Sequence, residues 1–377
     1  MKTKILHVVR QYDPGVGGIE TFVRDLVAEQ VKAGLRPDVL TLDRVFSKPR
    51  DILQKYEQRE GYNIHRIPYY GSRRYPIAPT VLTKISGYDI IHVHGVDFFV
   101  DFLSLTRFVH KKPIVLSTHG GFFHTSFARR FKRLYFHTVT RFTLLGIRRV
   151  FASSKNDLET FQGITSKVEL VENGVDVNAF SGPEIPRINR MIYVGRMASH
   201  KRVGLLLDVV QEVARRRYSV ELFLVGPDWD GTGTVVASEI DKRDLANIVK
   251  MKGSVSKNEL VRMLRSSKVF VSASEYEGFG LSLVEAMAAG VFPIVNSITS
   301  FIDILEGRTG TAISYKDISS VVDEITRILS LSDDEFERVS KEVTRDAQVY
   351  SWINVHSKFL AEYSRRECKN IRATDLP

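Results

Sequence analysis

The chain has 377 residues, 43% hydrophobic and 26% charged, which excludes general disorder and suits two domains of roughly 150–200 residues each. The formal net charge of +10 calls for an acidic partner: nucleic acid, an anionic membrane surface or a phosphorylated small molecule. Cys368 is the single cysteine, so neither an intrachain disulfide nor a cysteine-based metal site can form, as expected of a reducing cytosol.

In chain order, the first apolar run is residues 5–9, too short for a signal peptide, and no later uncharged stretch is long enough to span a bilayer. A cytoplasmic location is expected, with any membrane contact peripheral. Residues 5–9 read as a buried strand. Behind it comes the turn Asp13-Pro14-Gly15-Val16-Gly17-Gly18-Ile19-Glu20 and an amphipathic helix carrying Phe22, Val23, Leu26, Val27 and Val31. Glycines at such a turn let backbone N–H groups approach a phosphate or sugar. The spacing is neither a dinucleotide fingerprint nor a P-loop, and a simple tight turn fits the same residues.

Strands at 39–42, 90–94, 114–117 and 150–152 complete a first sheet. His92 and His94 fall in the third of these five strands, and His119 and His124 follow the fourth. A His-x-His pair can chelate, but no carboxylate or cysteine is taken to complete a zinc site, so no metal is expected. His92 reads as a strand residue with a satisfied ring, and His119, beside Gly120 and Gly121, as the histidine facing a cleft.

Residues 120–149 contain no Asp or Glu. They hold Arg129, Arg130, Lys132, Arg133, Arg141, Arg148 and Arg149, interleaved with Phe122, Phe123, Phe127, Phe131, Tyr135, Phe136 and Phe142. Basic residues beside exposed aromatics suit an interfacial helix on anionic lipid, and Arg73, Arg74 and Tyr75 extend the patch. The bland alternative is that the aromatics are core and the charges solvated. No recognised RNA or DNA module accompanies the segment, so nucleic acid is not expected.

Periodicity breaks at Ser181-Gly182-Pro183-Glu184, which places the domain boundary between 183 and 184. Strands at 191–194, 220–225, 269–271 and 292–295 then build a second sheet. Strands alternating with helices predict α/β domains with doubly wound parallel sheets, Rossmann-like, with a ligand in the cleft between them. Arg196 and Lys201, in Gly195-Arg196-Met197-Ala198-Ser199-His200-Lys201, stand after the first of those strands. Two fixed cations there can stabilise a departing pyrophosphate, although most such residues are merely solvated. The most specific element is Glu275-Tyr276-Glu277-Gly278-Phe279-Gly280-Leu281-Ser282-Leu283-Val284-Glu285. Its glycines leave amides free at a helix N-terminus, and its carboxylates, as pure acceptors, suit sugar hydroxyls.

Taken in order, these motifs resemble the retaining glycosyltransferases of family 4, which have the GT-B fold; Ser153-Ser154 and Asn173-Gly174-Val175-Asp176 belong to the same match. The resemblance implies a nucleotide-sugar donor, an acceptor held by the N-terminal domain, and a C-terminal segment from about 350 packing back on that domain. It implies that Arg196 and Lys201 bind the donor diphosphate, Glu285 the ribose and Glu277 the transferred sugar. Gly278, Phe279, Gly280, Leu281 and Ser282 would line the donor, Gly17 and Gly18 would close on the phosphate or acceptor, and His119 would be the active-site histidine. The stretch 249–255, with Met251 and Lys252, matches the loop that holds the base. No metal or other cofactor is implied, and no obvious Asp-x-Asp metal site is read. Residues 296–304 depart from the pattern by lacking the family's glycine-bearing loop. Residues 7–20 resemble, more narrowly, bacterial enzymes that move mannose from GDP-mannose to a polyprenyl-diphosphate-linked sugar. A UDP-sugar transferase, a sugar-nucleotide epimerase of the same fold and a non-catalytic nucleotide- or nucleic-acid-binding protein are the alternatives.

Overall fold

The computed structural model describes residues 2–15, 17–73, 75–120, 133–182 and 185–364. The chain divides into two units, Met1–Gly174 with Ile353–Pro377, and Val175–Trp352.

The first unit is built on eight strands: β1 (Lys4–Val9), β2 (Arg36–Leu42), β3 (Tyr56–Arg59), β4 (Tyr62–Ile67), β7 (Ile90–His94), β8 (Ile114–Ser117), β9 (Arg149–Ala152) and β10 (Val168–Leu170). A separate hairpin joins β5 (Tyr70–Ser72) to β6 (Tyr75–Ile77). The large sheet has the order β10-β9-β8-β7-β1-β2-β4-β3, parallel except for β3 against β4. β1 is buried from Ile5 to Val9, as a central strand covered on both faces must be. The helix Gly18–Lys32 buries Phe22, Val23, Leu26, Val27 and Gln30, one stripe at helical spacing, and Gln30 is the polar exception.

The C-terminal helix Trp352–Tyr363 also serves this unit from Ile353 onward. Phe359 has no exposed surface and meets Phe151 and Phe22 edge-on, with ring centres 4.8 and 6.2 Å apart. Arg148 Nε lies 2.6 Å from Glu362 on the same helix. Two charges of the acid-free segment, Arg148 and Arg149, are thus held by Glu362 and are no part of a free basic face.

The second unit has six strands: β11 (Ile188–Val194), β12 (Glu221–Val225), β13 (Val249–Gly253), β14 (Ser267–Ser272), β15 (Phe292–Asn296) and β16 (Thr311–Ile313). All are parallel, in the order β13-β12-β11-β14-β15-β16. Its core takes in Val175, Val177 and Phe180, so the boundary falls before Val175 and not at 183–184. The break in periodicity at Ser181 is a turn inside the second unit. The stretch expected as a base-holding loop is largely the edge strand β13, with Met251 and Lys252 exposed on it.

Phe359→Ala should cost the first unit about 3–5 kcal/mol, because a buried aromatic leaves a cavity its neighbours only partly fill. Exposed Ile353→Ala should change stability by no more than about 0.5 kcal/mol. Native-state hydrogen exchange of the β1 and β7 amides measures both; equal protection in the two variants would remove the helix from the unit's core.

Candidate active site

Ligands of open parallel sheets bind beyond the strand carboxyl ends, where the strand order reverses. In the second sheet that point lies between β11 and β14. The loop leaving β11 is clamped at once: Gly195 N–H bonds the Val225 carbonyl at 2.9 Å, and Met197 N–H bonds that of Pro227 at 2.8 Å. Gly226 allows this approach, because at φ +137° a side chain would be strained and would strike the Gly195 carbonyl. A 3-10 turn, Ser199–Lys201, then ends on Arg202 in the left-handed region.

This turn buries Lys201, which is only 9% exposed. Its Nζ donates to Glu277 Oε2 at 2.6 Å. The other oxygen of Glu277 accepts from Ser274 Oγ at 2.9 Å, and Ser274 Oγ lies 3.0 Å from Ser272 Oγ. The Glu275 N–H bonds the His200 carbonyl at 2.9 Å, so the loops after β11 and β14 are fastened together. Asn296 braces them: its amide donates to the Ser274 carbonyl at 2.9 Å and accepts from the Tyr315 N–H at 3.1 Å. The segment that departs from the family's glycine-bearing pattern thus supports the Glu277 loop through its first residue. Ser274 and Asn296 carry no motif, and only their place at strand ends could have marked them.

Arg196 is not part of this cluster's bonding. Its guanidinium lies over the exposed Trp229 ring, 4.3 Å from the centre. Trp229 belongs to Asp228-Trp229-Asp230, which does have Asp-x-Asp spacing, contrary to the reading from sequence. Both carboxylates are engaged locally. Asp228 accepts from the N–H groups of Gly231, Gly233 and Thr234, and Asp230 accepts from that of Ser199 at 3.0 Å and from the Thr232 hydroxyl. These bonds hold the Asp230 carboxyl down to about 2.

Gly280 precedes the helix Leu281–Ala288 at φ +123°, and a side chain there would press on Ile304 and Phe301, 3.0 and 3.1 Å away. Phe279 is buried against Tyr350, with ring centres 5.6 Å apart, so it anchors the loop instead of lining it. Gly278 is exposed, while Leu281, Ser282 and Glu285 are half-buried. The small residues Ala286, Ala288 and Ala289 are buried in the core. Lys252 lies over Phe223, 4.7 Å from the ring centre, on a strand two places from β11.

The first sheet reverses between β1 and β7. There Arg10 Nε stands 3.0 Å from Asp97, whose carboxylate also caps the helix Phe98–Leu105. Asp97 is close to His94 in sequence, a carboxylate the metal argument overlooked, and these contacts occupy it. Gly17 leaves room for Glu20, whose carboxylate a side chain at 17 would meet, and Gly18 is open. The histidines form a chain. His7 Nε2 lies 2.8 Å from Gln30 Oε1, His7 Nδ1 2.9 Å from His94 Nε2, and His94 Nδ1 2.9 Å from His119 Nε2. His92 joins from the side, 2.7 Å from both Tyr363 OH and Ser117 Oγ. His7, His92 and His94 approach closely enough to hold a metal ion, but each of their ring nitrogens already faces a protein partner. His7 was not anticipated; its place in the first strand was the one available signal. Of the basic-aromatic patch, Arg133 is exposed, whereas Phe122, Phe123, Arg129, Arg130 and Lys132 lie outside the described residues.

Burial lowers His7 to about 4 and His119 to about 3, and holds His92 and His94 well below 6.5. The unfolded chain therefore binds more protons than the folded one as pH falls below about 6.5. Each such histidine should remove ~1.4 kcal/mol of stability per pH unit until its folded form also protonates. Asp97, raised by burial to about 6, works in the opposite direction, as do Asp101 and Glu20, which burial also raises. Urea unfolding of the first unit should show stability falling steeply from pH 6.5 to pH 4.5. A flat profile would mean that water reaches these rings.

Two family descriptions match the chain: Glycosyltransferase Family 4 over residues 16–179 and Glycosyl transferases group 1 over residues 179–345. It is 36% identical to the GDP-mannose:cellobiosyl-diphosphopolyprenol alpha-mannosyltransferase of Xanthomonas oryzae, covering 96% of both chains. It is 31% identical to the protein of that name from Komagataeibacter xylinus, over 96% of this chain and 93% of the other. Among solved structures, sucrose-phosphate synthase from Thermosynechococcus elongatus superposes with a TM-score of 0.73 at 18% identity, covering 96% and 98% of the two chains. That last likeness bears on the fold, which is GT-B. The chain belongs to the family 4 glycosyltransferases.

Proposed function

We propose that the protein transfers mannose from GDP-mannose to a polyprenyl-diphosphate-linked sugar, with retention of configuration and without a metal. The observation that carries this reading is the Lys201–Glu277 pair, its lysine buried, at the point where the second sheet's strand order reverses. Donor and acceptor are taken from the names of the relatives that match along almost the whole chain. Retention is supported by the relatives' names: the mannose of GDP-mannose is α-linked, and those relatives are named alpha-mannosyltransferases.

Each residue then has a physical task. Lys201 meets one oxygen of Glu277 and keeps further N–H donors for a diphosphate oxygen. As the glycosidic bond breaks, negative charge grows on that diphosphate, and a cation fixed beforehand stabilises it without reorganising. Arg196 supplies a second cation by leaving the Trp229 face. Glu277, paired with Lys201 and held by Ser274, accepts from sugar hydroxyls, while Glu285 accepts from the ribose. His119 is the active-site histidine on the acceptor-binding unit. The two cations take the part a divalent ion plays elsewhere.

Lys201→Ala and Arg196→Ala should each lower turnover on the order of a hundredfold, since the charge they meet develops in the transition state. Turnover with GDP-mannose and a lipid-linked oligosaccharide should be equal in EDTA and in manganese, and UDP-sugars should not replace the donor. Wild-type rates in both variants would sink the leaving-group assignment; activity lost in EDTA and restored by manganese would sink metal independence.

A lipid-linked acceptor also calls for a membrane-facing surface. Phe108, Val109, Leu134, Phe142 and Leu145 are exposed, amid Arg107, Lys111, Lys112, Arg133 and Arg141. The helices Phe98–Leu105 and Arg107–His110 pack together, and the first also packs against Arg141–Thr143. Apolar side chains set among cations suit insertion at an anionic interface, each cation contributing about 1 kcal/mol. Replacing Phe108, Phe142 and Leu145 by Ser should cut cosedimentation with anionic vesicles severalfold and spare GDP binding. Unchanged sedimentation would leave this face a solvated one and the enzyme without a peripheral anchor.

A further inference from the structure

The histidine chain of the first unit has a direction, and one side chain sets it. Gln30 is fully buried on the helix Gly18–Lys32 and presents Oε1 to His7 Nε2 at 2.8 Å. A carbonyl oxygen only accepts, so His7 must carry its proton on Nε2 and leave Nδ1 bare. His94 Nε2, 2.9 Å from that bare nitrogen, must then be the donor, which leaves His94 Nδ1 bare. By the same step His119, 2.9 Å away, donates from Nε2. Its own Nδ1 is left with a lone pair, and among the described residues nothing is bonded to it.

The rest of the network is consistent with this orientation of Gln30. Its Nε2 faces Tyr363 OH at 3.4 Å, and that hydroxyl lies 2.7 Å from His92 Nδ1. The short contact suits a hydroxyl donating to a bare imidazole nitrogen, with its oxygen receiving the Gln30 amide. His92 Nε2–H then donates to Ser117 Oγ at 2.7 Å, so every partner in the network has one consistent role. Turning the Gln30 amide over would reverse each bond and place the outer proton on His119 Nδ1. The His119 ring is also fixed mechanically, by a left-handed backbone at φ 53° and by Phe22 edge-on at 4.7 Å. Phe22 and Gln30 lie on the same helix, which thus supplies both the wall and the polarity.

We propose that Gln30 is a positioning residue which, through His7 and His94, locks His119 as the Nε2–H tautomer so that its Nδ1 acts only as a hydrogen-bond acceptor for a substrate hydroxyl. This rests on the reading of His119 as the active-site histidine. It goes beyond that reading by assigning the atom, the direction of the bond and the distant group that sets both. His119 cannot serve as the acid of the reaction in this state, because its one N–H is committed to His94.

Histidine-ring ¹⁵N spectra of the wild-type protein test the chain without any variant. The expected result is a protonated Nε2 and a bare Nδ1 on His119, and the same tautomer on His94 and His7. A protonated Nδ1 on His119 would overturn the proposal. Gln30→Met keeps the volume but removes the acceptor, so the His119 tautomers should mix and the competent fraction should fall, lowering turnover about twofold or more. An unchanged His119 spectrum in a folded Gln30→Met protein would likewise overturn it. His119→Ala separates the two ideas: full turnover there removes His119 from the active site whatever its tautomer, whereas lost turnover there, with a protonated His119 Nδ1 in the wild type, keeps the residue and refutes the chain.

Discussion

A parallel sheet whose strand order reverses leaves a gap at the carboxyl ends of the two strands that part, and the polar groups of those ends have no neighbouring loop to cover them. Both units of this protein are arranged around that constraint. In the second sheet the gap between β11 and β14 is closed by the Lys201–Glu277 pair and by the bond from Glu275 to the His200 carbonyl. In the first sheet the gap between β1 and β7 is closed by Arg10 with Asp97 and by the run of imidazoles from His7 to His119. Of the groups that complete the fold at these points, Lys201, Glu277 and His119 are the ones the proposed function assigns to substrate.

The two solutions differ in electrical character. Lys201 and Glu277 face each other as an ion pair, and Ser274 takes a further lone pair of the carboxylate. A buried pair of this kind adds little stability over apolar packing, since desolvation offsets most of its Coulomb energy. Its worth lies in holding a cation and an acceptor in fixed places before substrate arrives. The first unit instead keeps His7, His92, His94 and His119 neutral, and burial is the leading cause in each. Neutral imidazoles can be chained donor to acceptor, which charged ones, having two donors each, cannot.

Much of this was legible in the sequence because the signals are local. Strands such as Ile114–Ser117 are continuous apolar runs, and the elements around Gly195 and Glu277 follow strands directly. What escaped depends on contacts between distant residues. β4 is absent from the expected strands; it carries the polar residues Asn63, His65 and Arg66, yet Arg66 is buried and bonds the Asp13 carbonyl and Glu57. β13 carries Met251 and Lys252 exposed because it is an edge strand. Asp228 and Asp230 have the spacing of a metal motif, and only the amides of Gly231, Gly233, Thr234 and Ser199 show what occupies them. Gln30 lies far from His119 in sequence, so nothing short of the folded helix joins them.

The same contrast bears on how each site can respond to a ligand. Arg196 rests on Trp229 in contact with solvent, so it can swing to a diphosphate at the cost of one cation–π contact, about 0.5–1 kcal/mol at an exposed position. Lys201 has no such freedom, because the turn ending at Arg202 and the carboxylate of Glu277 fix it from both ends. One cation is therefore preorganised and the other recruited. Preorganised charge contributes most where charge develops during the reaction, and mobile charge suits capture and release of a strongly anionic donor and its product. In the proposed reaction Lys201 meets the developing charge from a fixed position, and Arg196 reaches it by leaving the Trp229 ring.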